Sequence, residues 1–177
     1  MSALFLALAA GCLRFDVEGD VATLTGNLTR SAPRKVQRLI RRNPDLTTIE
    51  MWDCPGSTDD YAALEAARLV REAGLNTHIP EDGEIASGGV DFFIAGVKRT
   101  AHGTAGVGVH SWAVSGPGGY EGWELEQDDP EHDLYLDFYT EMGIPADFYW
   151  WTLSVATADD IHWLTPEEML AFGVVTQ

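Results

Sequence analysis

Residues 46–57 read LTTIEMWDCPGS, and this stretch decides the predicted fold. Its first seven residues are mostly apolar or β-branched and predict a buried strand, which runs directly into a turn that contains Gly56. Thr58 then predicts the N-cap of a strong helix, with Asp59 and Asp60 in the first turn. The stretch therefore lies at the centre of a strand-loop-helix unit.

Strand and helix patterns alternate on both sides of this unit. Strands are predicted over residues 15–24, 75–79 and 105–112, and helices over residues 31–43, 90–97, 134–142, 145–153 and 165–172. Residues 115–133 are rich in glycine, proline and acid and predict an exposed loop. The order of elements predicts an α/β fold with largely parallel strands, in which sites lie near the carboxyl ends of the strands.

Length, charge and cysteine content limit the classes of function. A chain of 177 residues fits a single domain with a sizeable core. The 28 Asp and Glu residues against 11 Lys and Arg give a net charge of -17, which repels nucleic acid and anionic lipid surfaces. No nucleic-acid partner is therefore expected. With Cys12 and Cys54 as its only cysteines, the chain is not a disulfide-rich scaffold.

The first twelve residues are predicted to be a leader, with the domain over residues 13–177. Residues 3–10 form an apolar run that is too short for a membrane span of about 20 residues. Residues 8–12 read LAAGC and resemble the lipobox of bacterial lipoproteins, which predicts a signal peptide, lipidation at Cys12 and a periplasmic or cell-envelope location. The missing Lys or Arg before the run favours the alternative, a first strand or helix with Cys12 in the core.

Acyl transfer needs a nucleophile, a base, a group that orients the base, and backbone donors for the oxyanion. Ser87 precedes an apolar helix, whose N-terminus favours a nearby negative charge. His110 falls at a strand end, where a neutral imidazole accepts a proton. Asp160 is a candidate to orient the histidine, and the loop at Gly56 is a candidate backbone donor. A helix cap, a structural histidine, a solvated acid and a plain turn are the alternative interpretations.

No cofactor is expected from the sequence. The five histidines lack the H-x-x-x-H spacing of a metal site, and no cysteine pair supports them. The glycines between residues 103 and 108 lack the lysine of a P-loop and the full glycine pattern of a dinucleotide-binding fold.

Four motifs, taken in order, resemble the Clp protease proteolytic subunit. They are DCPGS at residues 53–57, IASGG at 85–89, GVH at 108–110, and LTPEE at 164–168 with FGV at 172–174. The resemblance covers about residues 14–175 and implies an α/β, ClpP/crotonase-like fold, a spiral of ββα units in one domain. It is nearest to the periplasmic Clp-like branch of that superfamily, which includes lipoproteins.

The resemblance implies a serine peptidase with a Ser-His-Asp triad. Ser87 matches the nucleophile and His110 the general base, while Asp160, with Asp159 as its competitor, matches the acid by its position before the LTPEE motif. The same resemblance implies that the backbone N–H groups of Gly56 and Gly88 form the oxyanion hole. The expected partner is a peptide or ester substrate. A homo-oligomer stays open as well, because Clp-type subunits assemble into rings.

Two other functions stay open at this point. A crotonase-like enzyme would polarise a coenzyme A thioester, although Lys35 and Lys98 are the only lysines that the chain offers to the phosphates. A catalytically silent, secreted or lipid-anchored module would bind peptides with the same fold. A dyad of Ser87 with Lys98 as the base is a minor variant of the peptidase hypothesis. It is minor because Lys98-Arg99 is typical of a solvated helix end.

Overall fold

The computed structural model describes residues 11–176, so the apolar run predicted to be a leader lies outside the described residues. The strands are β1 Arg14–Glu18, β2 Val21–Thr25, β3 Thr48–Cys54, β4 Asn76–Ile79, β5 Glu84–Ala86, β6 Arg99–Ala101, β7 Gly106–Val109, β8 Ala113–Val114, β9 Tyr120–Glu121 and β10 His162–Trp163. The helices are α1 Ala32–Arg42, α2 Asp60–Glu72, α3 Gly88–Ile94, α4 Asp133–Met142, α5 Ala146–Val155 and α6 Pro166–Ala171.

The main sheet follows the order β1-β2-β3-β5-β7-β10 and divides at β3. β2, β3, β5 and β7 are parallel neighbours, while β1 and β10 add antiparallel edges. The first half of β3 pairs with β4, which continues to β6, and the last two residues of β3 pair with β5. The predicted α/β domain with a parallel sheet is confirmed.

The core lies between this sheet and the helices that cross it. Ile49, Met51 and Cys54 of β3 are fully buried, as are Phe92, Phe93 and Ile94 of α3. Burial of such large apolar side chains contributes about 1.5–3 kcal/mol each. α3 is buried at every position except Asp91, and it packs against α2 and the strands β4, β5 and β7.

Two predicted boundaries near the N-terminus are wrong. The strand predicted over residues 15–24 is a hairpin of β1 and β2, because Gly19 at φ +61° reverses the chain. The N-cap of α2 is Asp59 rather than Thr58: the Asp59 carboxylate accepts a hydrogen bond from Ala62 N at 3.0 Å.

The segment over residues 115–133 is more ordered than the predicted exposed loop. It contains β9 and two short 3₁₀ turns, Gly122–Glu124 and Pro130–His132. The side chain of His132 is 0% exposed. The sequence of this segment shows no strand or helix periodicity because these elements span only two or three residues each.

Arg99 is another departure, since the Lys98-Arg99 pair was expected to be a solvated helix end. The Arg99 side chain is only 7% exposed and lies in β6. Its guanidinium donates to the carbonyls of Gly96, Gly173 and Val174. The planar guanidinium has five N–H donors and can bond several backbone carbonyls at once. Arg99 therefore links the last residues of the described chain to β6.

Cys12 is exposed and its thiol is free. Its backbone pairs with that of Asn27 in an isolated parallel β-bridge. The interpretation of Cys12 as a core residue is therefore wrong. None of the helices between residues 11 and 176 has the length and apolar character that a membrane crossing requires.

Candidate active site

The carboxyl ends of three adjacent strands bring the candidate residues together. Ser87 follows β5 directly, His110 follows β7 directly, and Gly56 comes two residues after β3. Ser87 N donates to Gly108 O at 3.0 Å, which continues the β5-β7 ladder to the nucleophile. Ser87 and His110 both line one cavity of about 50 Å³. The sheet thus places these two side chains as the parallel topology predicts.

Ser87 has an unusual backbone conformation. Its φ is 53° and its ψ is -130°, which a residue with a side chain rarely adopts and which costs about 1–3 kcal/mol. The sharp turn from β5 into α3 is possible because Gly88 and Gly89 allow close packing: a Cβ at Gly88 would lie 2.6 Å from Ser57 Oγ. A Cβ at Gly89 would collide with the backbone carbonyl of Cys54. The turn presents a half-buried serine to the cavity.

His110 is held in one tautomer by a backbone carbonyl. The distance from His110 Nδ1 to Ser111 O is 2.6 Å, and because a carbonyl only accepts, Nδ1 carries the proton. In the neutral ring, Nε2 then has a free lone pair. No hydrogen bond among residues 11–176 joins Ser87 Oγ to His110, so proton transfer needs a side-chain movement or an intervening water.

The structure does not bring Asp160 to His110. The Asp160 carboxylate is exposed and accepts a 2.8 Å hydrogen bond from Ile161 N, and Asp159 is exposed as well. Asp160 N also donates to Thr157 O, so this segment is a tight local turn that directs its acids to solvent. The orienting contact expected from Asp160 is made by the Ser111 carbonyl instead.

The loop after β3 supplies a backbone donor that was not predicted. Leu28 N donates to Gly56 O and Thr58 N donates to Leu28 O, so the N–H of Ser57, which lies between them, points away from Leu28. A Cβ at Gly88 would lie 3.1 Å from Ser57 N, so this N–H lies beside Gly88.

Gly56, the predicted donor, lies against the nucleophile. At φ +151°, a Cβ on it would lie 3.2 Å from the Ser87 Cβ. Burial raises the pKa of Cys54 to about 12, and a hydrogen bond from the Gly56 backbone opposes this shift. The N–H groups of Ser57 and Gly88 are therefore a candidate oxyanion pair beside the predicted pair of Gly56 and Gly88. Gly88, as the first residue of α3, has no helix carbonyl to bond.

Two carboxylates in the same cavity were not anticipated as site residues. Asp60, the first residue of α2, accepts from Tyr135 Oη at 2.7 Å and from Ser57 Oγ. Asp91, on α3, accepts from Tyr139 Oη at 2.9 Å. Burial raises the pKa of Asp91 to about 7, the Tyr139 hydrogen bond lowers it, and the negative charge of Asp60 raises it further.

These carboxylates also affect the tyrosines. Burial raises the pKa of Tyr135 and of Tyr139, and the neighbouring Asp60 and Asp91 charges add to the shift. The two hydroxyls therefore act as hydrogen-bond donors at neutral pH.

A chain of hydrogen bonds fixes the roof of the cavity. His132 Nε2 lies 3.1 Å from the carbonyl oxygen of Glu126, so Nε2 carries the proton and Nδ1 accepts from Tyr149 Oη at 2.6 Å. The Tyr149 oxygen accepts in turn from Trp112 Nε1 at 2.9 Å. This chain attaches the acidic segment to α5 and to the strand end that carries His110.

Metal ligands are not grouped in this region. Between residues 11 and 176, no three His, Cys, Asp or Glu side chains lie close enough together to hold a metal ion. Lys98, the alternative base, is exposed in the turn before β6, away from the lining of the Ser87 cavity.

The structure resembles solved structures of two enzyme classes. Two variants of the 1510-N membrane-bound stomatin-specific protease, one in complex with a substrate peptide, match with TM-scores of 0.59 and 0.60 at 17% and 16% identity. These matches cover 88% of this chain and 71% and 75% of the protease chains. An enoyl-CoA hydratase from Bacillus halodurans matches with a TM-score of 0.59 at 13% identity, over 93% of this chain and 71% of the other.

No protein-family model matches the sequence, and no curated protein matches it. At these identities the structural matches establish the fold and leave the activity open. The chain shares the α/β fold of the stomatin-specific protease and of the enoyl-CoA hydratase.

Proposed function

We propose that this protein is a serine hydrolase that cleaves peptides or esters through an acyl-enzyme on Ser87. The observation that carries the proposal is the strained backbone of Ser87 at a strand-to-helix turn, in a cavity that His110 also lines. Strain of this kind is retained where the surrounding structure over-determines it, as at nucleophile turns. The resemblance of the sequence motifs to the Clp protease subunit supports the same assignment.

The proposed reaction uses Ser87 as nucleophile and His110 as base. As Ser87 Oγ bonds to the acyl carbon, its proton passes to His110 Nε2, and the carbonyl oxygen becomes an oxyanion that accepts from the N–H groups of Ser57 and Gly88. Collapse of this intermediate breaks the bond to the leaving amine or alcohol, which takes the proton from His110. Water then attacks the acyl-enzyme by the same route and releases the acid.

The orienting group in this scheme is a backbone carbonyl. Ser111 O holds Nδ1–H of His110 and fixes the tautomer, which leaves Nε2 free to act as the base. A neutral carbonyl stabilises a developing imidazolium less than a carboxylate does, so turnover slower than that of a full triad is expected.

A peptide is the favoured substrate class. One structural neighbour, the 1510-N protease, is a protease seen with a substrate peptide. A crotonase-like reaction on coenzyme A is disfavoured, because Asp60 and Asp91 line the cavity and would repel phosphates.

A catalytically silent peptide-binding module is the second candidate function. It is favoured by the absence of a hydrogen bond between Ser87 and His110 in the described chain and by the exposed position of Asp160. Such a module would retain the cavity without turnover.

A fluorophosphonate probe separates the two candidates. Such probes label serines that a base and an oxyanion site activate. Labelling of the full chain at Ser87, located by mass spectrometry and lost in Ser87→Ala, would support the hydrolase. His110→Ala should label at least about 100-fold more slowly. A folded protein without any label would contradict the hydrolase and favour the binding module.

We also propose a lipid anchor at Cys12 and a cell-envelope location. The support is the LAAGC motif at residues 8–12 and the exposed, free thiol of Cys12. Expression in a bacterium followed by detergent phase partitioning tests the proposal. The full chain should enter the detergent phase, and Cys12→Ser should move it to the aqueous phase; equal partitioning of both would contradict the anchor.

A further inference from the structure

The cavity beside Ser87 continues into a larger groove. The groove has a volume of about 700 Å³ and shares Asp60, Trp112 and Tyr135 with the cavity. Leu134 and Val114 add apolar surface to its walls. A cavity of about 50 Å³ admits roughly three or four water molecules, which is the room for the end of one side chain. The groove has room for a longer segment of chain.

Negative charge dominates the lining of both spaces. Asp60 and Asp91 line the cavity, and Asp59 and Glu131 join Asp60 in the groove. No Lys or Arg lines either space among the described residues. The ion pairs between residues 11 and 176 are Arg68–Glu141 and His162–Glu168, so neither cavity carboxylate has a cationic partner from the chain.

A partly buried carboxylate that has no cationic partner in the protein is stabilised strongly by a cation that a ligand supplies. Within residues 11–176, the hydrogen bonds that Asp60 and Asp91 accept from other side chains come from neutral hydroxyls, those of Ser57, Tyr135 and Tyr139. A neutral donor compensates a buried charge less than a cation does. The rings of Trp112 and Tyr135, stacked at 5.8 Å, form a wall along which the methylene stem of a long side chain can pack.

We propose that this cavity is a specificity pocket for a basic side chain, lysine or arginine, of an extended peptide that lies in the groove. Asp60 and Asp91 recognise the cationic end, the aromatic wall holds the stem, and the pocket places the residue beside Ser87. The inference rests on the proposed function in so far as the bound peptide is cleaved, but the preference for a basic side chain can be tested by binding alone. The chain's net charge of -17 also attracts basic peptides, which agrees with this preference.

Equilibrium binding to the Ser87→Ala protein tests the pocket without requiring catalysis. The probes are two acetylated pentapeptide amides of alanine whose central residue is lysine in one and norleucine in the other. Norleucine keeps most of the stem and removes the charge. Calorimetry should give at least about tenfold tighter binding of the lysine peptide. Equal affinities, tighter binding of the norleucine peptide, or no binding of either at millimolar concentration would overturn the proposal.

Substitutions at the carboxylates locate the preference. Asp91→Asn and Asp60→Asn, each in the Ser87→Ala background, should reduce the lysine preference about fivefold or more. Asp137→Asn removes the same charge from the exposed face of α4 and should leave the preference unchanged. A preference that survives both cavity substitutions would place the basic side chain elsewhere and overturn the assignment. If one cavity variant fails to fold, the other variant and the peptide pair on the parent protein still decide the outcome.

Fluorophosphonate labelling of the wild-type chain separates this proposal from the hydrolase proposal. A lysine preference without labelling supports the pocket and contradicts the hydrolase. Labelling of Ser87 without a lysine preference supports the hydrolase and contradicts the pocket.

Discussion

The backbone N–H of Ser87 donates a 3.0 Å hydrogen bond to the carbonyl oxygen of Gly108. The last ladder bond between β5 and β7 therefore ends at the nucleophile on one strand and two residues before His110 on the other. The relative position of the two residues is set by sheet register rather than by a flexible loop. Sites built on regular elements are held more precisely than sites on loops.

Replacement of Ser87 by glycine should stabilise the fold relative to alanine at the same position. The pair φ 53° and ψ -130° mirrors a conformation that is common for L-residues, so glycine adopts it without strain. Relief of about 1–3 kcal/mol of strain outweighs the roughly 0.5–1 kcal/mol that glycine costs through chain entropy. Urea unfolding should give a free energy about 1 kcal/mol higher for Ser87→Gly than for Ser87→Ala. A more stable alanine variant would mean that this backbone is not strained.

Asp160→Asn should have little effect on the reactivity of Ser87. The amide oxygen can still accept from Ile161 N, and His110 keeps its bond to Ser111 O. We expect the rate of fluorophosphonate labelling to change by less than about threefold, against the large loss expected for His110→Ala. A loss as large as that of His110→Ala would restore Asp160 as the third member of a triad.

Gly88→Ala should destabilise the protein and disturb the oxyanion site. Its Cβ would lie 2.6 Å from Ser57 Oγ and 2.7 Å from Ser57 Cβ, so the loop after β3 must move. Overpacking of this kind costs about 1–3 kcal/mol in the free energy of unfolding. Gly103→Ala is the matched control, because nothing lies within 4 Å of its added Cβ. Equal unfolding free energies for the two variants would contradict the close contact between the loops.

Asp91→Asn should stabilise the protein more at pH 8 than at pH 4. The pKa of Asp91 is raised from 3.8 to about 7 by burial, opposed by its hydrogen bond from Tyr139 and increased by the charge of Asp60. Between these values the folded state binds more protons than the unfolded state, so stability falls as pH rises to about 7 and is then level.

Asparagine removes this dependence and still accepts from Tyr139. Unfolding of both proteins by urea at pH 4, 6 and 8 should show a difference that grows with pH, by at least about 1 kcal/mol overall. Asp137→Asn, on the exposed face of α4, is the control for a simple change of net charge. A difference that is constant with pH would show that Asp91 is ionised throughout the range.

Much of the fold could be predicted because its signals are local. The strand predicted over residues 46–52, which the structure places at Thr48–Cys54, and the capping box at Thr165 and Glu168 are visible in a few consecutive residues. Ser87 and His110 could be placed because each stands where a strand pattern ends, and parallel strands bring such ends together.

The rest of the site depends on contacts that no local pattern contains. The partners of Asp60 and Asp91 are Tyr135 and Tyr139, which lie 75 and 48 residues away along the chain. In the sequence, Asp60 is an ordinary first-turn acid and Asp91 a polar interruption of an apolar helix. The position of Asp160 depends on a local contact instead, because its carboxylate accepts from Ile161 N within a tight turn rather than from His110.

The strand β3 is shared by three neighbours, and this limits how the chain can vary in length. One edge pairs with β2 from Thr48 to Asp53, with a register shift at Trp52, while the other edge pairs with β4 at Thr48 to Glu50 and with β5 at Asp53 and Cys54. An inserted or deleted residue would turn Ile49 or Met51 from the core to the other face and break the register with two partners at once. Loops around the sheet can lengthen at small cost, whereas β3 has to keep its register with β2 on one edge and with β4 and β5 on the other.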